Sequence, residues 1–398
     1  MDISARFPDG AVWCRQLDIA QSAAAYPVNA ANALSLEQAL QAYAEVKAWS
    51  EYEQTPLYRL NKLEKHLSCG AIYYKDESMR FGLGSFKALG GAYAVLKHVA
   101  AVYEKQTSVP ITLGDIRQGK IKDFAASMTV TTATDGNHGR SVAWGAKNAG
   151  CPCKIYIHAE VSSGRADAMA DLGAEVIRID GDYDESVKLC ASEAERHGWQ
   201  MVSDTSYNGY TEIPANVMAG YTVLASEVIA QMDEPPTHVF LQAGVGGLAA
   251  AIAARLWMEY GEARPHITLV ESDYSACVLE SFRQQAPAQV DITKETVMAG
   301  LSCGEMSLLA WQILSGCGDQ VMTLADNQVA DAMKLFADAE MADHKIEAGE
   351  CAVPGVLALI ASATAAQQDY SDARILVLGC EGATDVEVYR EMLESVAH

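Results

Sequence analysis

The 398-residue sequence contains no Cys-x-x-Cys pair, although it holds ten cysteines. A zinc hook or a dithiol redox motif needs that paired spacing, and Cys151-Pro152-Cys153 is too tight for an ordinary hook. Free, buried thiols are the expectation. The nine histidines show no metal-ligand spacing, so no metal is expected. Basic residues are scarce: 29 Lys and Arg stand against 52 Asp and Glu, a net charge of −23. Phosphate backbones are bound by clustered Lys and Arg, so nucleic acid is excluded as a partner. The balance fits a soluble cytoplasmic protein, and a negative field mildly favours a cationic substrate. No uninterrupted run of about 18 apolar residues occurs, so no membrane helix is expected. Met1-Asp2-Ile3-Ser4 is not a basic segment leading into an apolar one, which argues against a signal peptide. There is no low-complexity tract, short-period repeat or sharp linker. No Gly-x-Gly-x-x-Gly with a downstream acid stands in the first βαβ unit, which sets aside a dinucleotide-dependent oxidoreductase.

What the chain does have is length and apolar content. At 398 residues, half of them hydrophobic, it can build two domains with large cores. Near-continuous apolar strands alternate with helix-like runs. Examples are Lys154–His158, Glu175–Ile179, Ile267–Val270 and Arg374–Leu378. Strands of that kind are buried on both faces, and their alternation with helices predicts a parallel α/β architecture.

Three turns concentrate the chemistry. In Gly84-Ser85-Phe86-Lys87-Ala88-Leu89-Gly90-Gly91, a lone lysine opens a helix just after the strand Tyr73–Glu77. The positive end of a helix disfavours a cation. A lysine held there should lose its proton more easily, and a neutral amine can form a Schiff base with an aldehyde. The alternative is a surface lysine on an ordinary helix. Thr134-Asp135-Gly136-Asn137-His138-Gly139 follows the β-rich run Met128–Thr132 and precedes a helix over Arg140–Gly150. Leu241-Gln242-Ala243-Gly244-Val245-Gly246-Gly247-Leu248 closes another strand and opens a helix over Leu248–Tyr260. Glycines there let the backbone approach a ligand, and bare amides at a helix start bind phosphate.

Together and in this order, these turns resemble the fold-type II pyridoxal-phosphate enzymes, the family of the serine and threonine dehydratases and the tryptophan synthase β chain. The resemblance runs from about Pro56 to the last helix. It is closest to the diaminopropionate ammonia-lyases at Lys75–Leu83, Thr134–Arg140, Asp204-Thr205, Gly209–Thr211, Ile213-Pro214, Ala299–Leu301 and Glu381–Asp385. It implies two parallel-sheet α/β domains with pyridoxal 5'-phosphate between them. A large domain is expected over 1–104 and 216–398, with a small domain, 105–215, inserted in it. It also implies a homodimer. Within the insertion, 106–124 reads as short helices without an assigned task.

The resemblance also implies roles. Lys87 is the Schiff-base lysine, and its freed amine takes the Cα proton of a bound amino acid. Phe86 lies beside the cofactor ring or simply packs in the core. Asn137 bonds the ring oxygen, and His138 holds the same turn. Gly244, Val245, Gly246, Gly247 and Leu248 cradle the phosphate through backbone amides. Cys380 matches the position where the family has Ser or Thr beside the pyridine nitrogen. If the register of that turn is slipped, the partner is Thr384. A thiol is a weaker donor and leaves the ring nitrogen unprotonated, which suits elimination. Glu350 matches a family glutamate near the ring. Cys277 and Cys303 fall where relatives carry entrance loops, a candidate redox-sensitive pair.

Asp135 stands where dehydratases carry serine, and an aspartate is a far better base at neutral pH. With Lys87 on one cofactor face and Asp135 on the other, a Cα proton of either hand could be removed. Asp204 either binds a β-ammonium group and assists its departure, or caps a helix starting at Thr205. The expected reaction is elimination from D- and L-2,3-diaminopropionate to pyruvate and ammonia. The alternative is a lyase acting on serine, threonine or a carbamoylated diaminopropionate. A cofactor-binding protein that has lost catalysis is disfavoured, because Lys87, both glycine turns and both aspartates are present.

Overall fold

The computed structural model describes residues 14–19, 25–365 and 368–396. The Met1–Ser4 stretch that bears on a signal peptide lies outside them. The described strands, in chain order, are β1 (Cys14–Asp18), β2 (Leu57–Arg59), β3 (Ala71–Asp76), β4 (Val130–Ala133), β5 (Cys153–Ile157), β6 (Glu175–Arg178), β7 (Gln200–Met201), β8 (His238–Gln242), β9 (His266–Ser272), β10 (Gln320–Leu324) and β11 (Arg374–Gly379). The helices that matter below are α1 (Lys87–Thr107), α2 (Leu113–Arg117), α3 (Asn137–Ala149), α4 (Ser163–Ala170), α5 (Tyr183–His197), α6 (Glu212–Gln231) and α7 (Gly247–Tyr260). The chain divides into two compact units. One comprises Met1–Leu36, Gln54–Met79 and Leu224–His398; the other, Glu37–Glu53 and Arg80–Val223.

The first unit holds a seven-stranded sheet in the order β1-β10-β9-β8-β11-β3-β2. Its inner pairs are parallel, and only β1 and β2, at the edges, run antiparallel. The inner strands β8, β9, β10 and β11 are buried almost throughout, as their unbroken apolar runs require. Val377 pairs with Tyr74 on one side and Phe240 on the other. The carboxyl ends of β3, β8 and β11 therefore finish at one edge, where ligands of open α/β sheets bind. One residue breaks the apolar rule. The Lys75 ammonium is fully buried, and it donates to Glu227 at 2.6 Å, to the Thr55 carbonyl at 2.7 Å and to Gln231 at 2.9 Å. Thr55 in turn donates to Glu77 at 2.6 Å. A buried cation is tolerable only when its donors are satisfied in this way. The network pins the end of β3, from which the chain runs on to Lys87.

The second unit holds a four-stranded parallel sheet, β6-β5-β4-β7. These strands fall within 105–215, while their compact unit also takes in α1 and Glu37–Glu53. The α1 and α3 backbones meet where side chains are missing. A Cβ on Gly145 would lie 2.7 Å from the Ala92 Cα, and one on Gly91 would lie 2.5 Å from the Ser141 Oγ. Gly145→Ala is therefore expected to destabilise the protein by about 1–3 kcal/mol, the usual cost of overpacking. A urea midpoint equal to that of the wild type would show that the helices part freely. The 106–124 segment has a packing task. On α2, Arg117 lies over the Trp49 ring at 4.6 Å and the Trp144 ring at 5.8 Å, and pairs with Glu51 at 2.5 Å. Phe81 stacks on the same Trp144 at 4.8 Å.

By length and composition α6 could cross a membrane. Of its most apolar window, 78% is buried inside the protein, which marks it as a core helix.

Candidate active site

Lys87 is the first residue of α1. No side chain caps that helix, and no acid stands in its first turn. The lysine ammonium instead donates to the carboxylate of Asp204 and lies 5.5 Å from the Phe86 ring centroid. Phe86 is buried against Tyr221, with ring centroids 4.8 Å apart. Asp204 sits in the loop after β7, and no helix starts at Thr205. The helix-cap alternative for Asp204 is thereby removed. The Tyr210 hydroxyl fixes this loop, donating to the Met201 carbonyl at 2.8 Å and accepting from the Ser203 amide at 3.0 Å.

The electrostatics of this group have a definite direction. Burial alone would raise the Asp204 carboxyl, but the Lys87 ammonium and then His138 outweigh it and hold Asp204 well below the usual carboxylate range. His138 Nε2 lies 2.8 Å from the Val202 carbonyl, which can only accept, so this nitrogen carries the proton. Its Nδ1 faces Asp204 at 3.8 Å. Burial pushes the imidazole below its ordinary value. The arrangement is an ionised, largely buried carboxylate gripping an ammonium.

The turn before α3 is held by Thr134, whose Oγ1 accepts from the amides of Gly136 and Gly139, both at 3.1 Å. This places Asn137 at the first position of α3, followed by His138. Asp135 stands at the outer side of the turn. Its Oδ1 is 3.0 Å from His158 Nε2, and its carbonyl is 3.5 Å from the Arg165 guanidinium.

The first unit contributes a second set. Gly246 precedes α7 at φ +89°, a left-handed conformation that favours glycine. No side chain caps α7 and no acid lies in its first turn, so its leading amides are bare. Gly244 packs so closely that a Cβ there would lie 2.8 Å from the Gly300 carbonyl and 2.9 Å from the Cys303 sulfur. A helix start with free amides, a left-handed glycine and no competing acid fits a phosphate group. Beyond β11, the buried Cys380 thiol donates to the Cys351 carbonyl at 3.1 Å. The ligand atoms of Glu350, Cys351 and Glu381 lie within 4.8 Å of one another, all three residues buried. Glu381 already accepts the Cys351 amide at 3.1 Å. Cys277 and Cys303 are both free thiols, and burial pushes the Cys277 thiol strongly up.

The structure thus brings Lys87, Phe86, His138 and Asp204 together and places Asn137 beside His138 in the chain. It gathers Gly244, Val245, Gly246, Gly247 and Leu248 at one helix start, with Glu350 and Cys380 in the same unit. Sequence reasoning missed Tyr210, Tyr221 and His158. Of these, His158 becomes reachable only once the pairing of β4 with β5 is known. Ala133 of β4 pairs with Tyr156 of β5 in parallel register, so residues two further along each strand, Asp135 and His158, come level.

A family described as pyridoxal-phosphate dependent enzyme matches residues 48–381. A diaminopropionate ammonia-lyase from Escherichia coli K12 is 37% identical over 358 residues, covering 87% of this chain and 89% of that protein. The crystal structure of holo diaminopropionate ammonia lyase from Escherichia coli superposes with a TM-score of 0.86 at 35% identity, covering 96% of this chain and 97% of that one. The Escherichia coli enzyme in complex with D-serine gives a TM-score of 0.85 at 34% identity, with the same coverage.

Proposed function

Because the chain belongs to the pyridoxal-phosphate-dependent enzymes, and within them to the diaminopropionate ammonia-lyases, we propose that it converts both D- and L-2,3-diaminopropionate to pyruvate and ammonia. It is a lyase, and its cofactor is pyridoxal 5'-phosphate. When bound, that cofactor supplies an electron sink that makes the Cα proton of an attached amino acid removable.

The residues divide the remaining work. Lys87 would hold the cofactor through its carbonyl, and its amine would serve as the base for the Cα proton of the L-isomer. Asp135 removes that of the D-isomer. The leading amides of α7, with Gly244 to Leu248, would hold the phosphate; Asn137 would serve the ring oxygen, and Cys380, with Glu350, would serve the ring nitrogen. Phe86, packed against Tyr221, lies beside the Lys87 nitrogen. The observation that carries the substrate reading is the Asp204 carboxylate, kept ionised and already gripping an ammonium. With Lys87 committed to the cofactor, that carboxylate is left as a receptor for a β-ammonium group, which diaminopropionate has and serine lacks. The complex of a relative with D-serine supports acceptance of the D hand. The working form is a cytoplasmic homodimer, which sedimentation of the pure protein tests.

Pyruvate release from pure protein offered each enantiomer of diaminopropionate, serine and threonine decides the substrate. Fast release from serine or threonine, with none from diaminopropionate, would replace the reading with a dehydratase. Gly246→Asp puts a side chain on a left-handed residue and a negative charge beside the bare amides. It is expected to weaken cofactor retention strongly. Normal cofactor content after equilibrium dialysis would put the phosphate elsewhere.

A further inference from the structure

Asp135 has a partner that the reaction scheme above does not use. Strands β4 and β5 run parallel and in register, which carries the turn after β4 and the loop after β5 to the same level. The His158 Nε2 lies 3.0 Å from the Asp135 Oδ1. The Oδ1 is buried, and the contact falls short of a well-aligned hydrogen bond. The Asp135 side chain as a whole is 37% exposed. Burial of Oδ1 against the imidazole leaves Oδ2 as the oxygen open to a substrate.

The imidazole is itself held in place. A single guanidinium nitrogen of Arg178, on β6, donates to the carbonyls of His158 at 3.2 Å, Ala159 at 2.8 Å and Val161 at 2.6 Å. The Ala159 amide donates to the Gly181 carbonyl at 3.1 Å. Tyr183 of α5 meets the imidazole edge-on at 6.5 Å. Arg165 of α4 reaches the Asp135 carbonyl, and its aliphatic stem lies 3.3 Å from where a Gly136 Cβ would stand. Arg165, Arg178 and Tyr183 are thus charged or titratable groups beside the pair.

We infer that His158 is the positioning residue of Asp135 and sets the enzyme's preference between substrate hands. The contact holds the Asp135 carboxylate in place and presents Oδ2 to the Cα proton. Because Lys87 serves the L-isomer, only the D-isomer depends on this pair. The inference rests on the reading of Asp135 as the D-specific base.

His158→Gln keeps a donor of similar reach but cannot carry charge. It is expected to lower kcat/KM for D-diaminopropionate by roughly 10- to 100-fold, the usual range for losing a partner that orients a functional group. The L-isomer should stay near the wild-type rate. A second measurement needs no turnover. In cofactor-free protein with isotope-labelled histidine, the His158 resonance, assigned by its loss in His158→Gln, should titrate at lower pH in Asp135→Asn than in wild type. An unmoved titration, or equal losses for the two isomers in His158→Gln, overturns the inference. If the titration moves but Asp135→Asn slows both isomers equally, the pair is coupled and the fault lies in the assignment of Asp135 as the D-specific base, and the assignment of handedness to His158 falls with it.

Discussion

Lys87→Ala is expected to lower turnover by on the order of 10⁴-fold or more while the fold persists. Lys87 is asked to do two things, holding the cofactor carbonyl and moving the Cα proton, and no other lysine stands at this helix start. Loss of a group with both roles costs more than loss of a general base alone, which is typically about 10²–10⁴-fold. Borohydride treatment of the wild-type holoprotein should fix the cofactor to the chain, and digestion should find it on Lys87. A tag on another lysine, or an active Lys87→Ala enzyme, would remove the basis of the mechanism.

The same variant has a stability consequence, because Asp204 loses its ammonium. The Asp204 carboxyl is held below its ordinary value in the folded protein. A depressed carboxyl contributes stability above its unfolded pKa, and that contribution is lost as pH falls through the folded one. The Tm of cofactor-free Lys87→Ala should therefore lie below that of the wild type at neutral pH. The gap should close as acid protonates Asp204. A gap independent of pH would mean that the lost stability is packing, not the ion pair.

The sheets were legible because their strands obey one rule. His238–Gln242, His266–Ser272 and Arg374–Gly379 are apolar nearly throughout and are flanked by helices, and burial on both faces leaves them little freedom. The edge strand Glu175–Arg178 is half-exposed and ended a residue before its expected limit. Glycine and small residues mark the strand-to-helix turns, which made the helix start at Lys87 legible, whereas the helix expected from Arg140 begins at Asn137 and the one expected from Leu248 begins at Gly247. Long-range partners were not legible. Lys75 reads as an ordinary charged residue, and only the fold shows that Glu227, Gln231 and Thr55, more than 150 residues away in two cases, surround it. Arg117 gave no sign of the two tryptophans it covers, because Trp49 and Trp144 are brought to it by tertiary packing alone. His158 is the intermediate case. Its own strand was recognised, but its meeting with Asp135 needs the pairing of two strands, and strand order is not written in either segment.

Asp135→Asn is expected to separate the two substrate hands. Asparagine keeps the shape of the side chain and the Thr134-held turn, which rests on backbone amides and not on the carboxylate. What it removes is the ability to take a proton. Loss of a positioned general base costs about 10²–10⁴-fold, so D-diaminopropionate turnover should fall by roughly that factor. The L-isomer, served by Lys87, should lose far less. The two residues proposed as bases differ in surroundings in a way that fits this division. Lys87 is paired with the ionised, mostly buried Asp204, whereas the Asp135 side chain is partly exposed and faces His158. Steady-state rates of wild type and variant on both enantiomers decide the matter. Equal losses would assign Asp135 to substrate binding or to departure of the β-amino group, and an unchanged D rate would deny it a catalytic role.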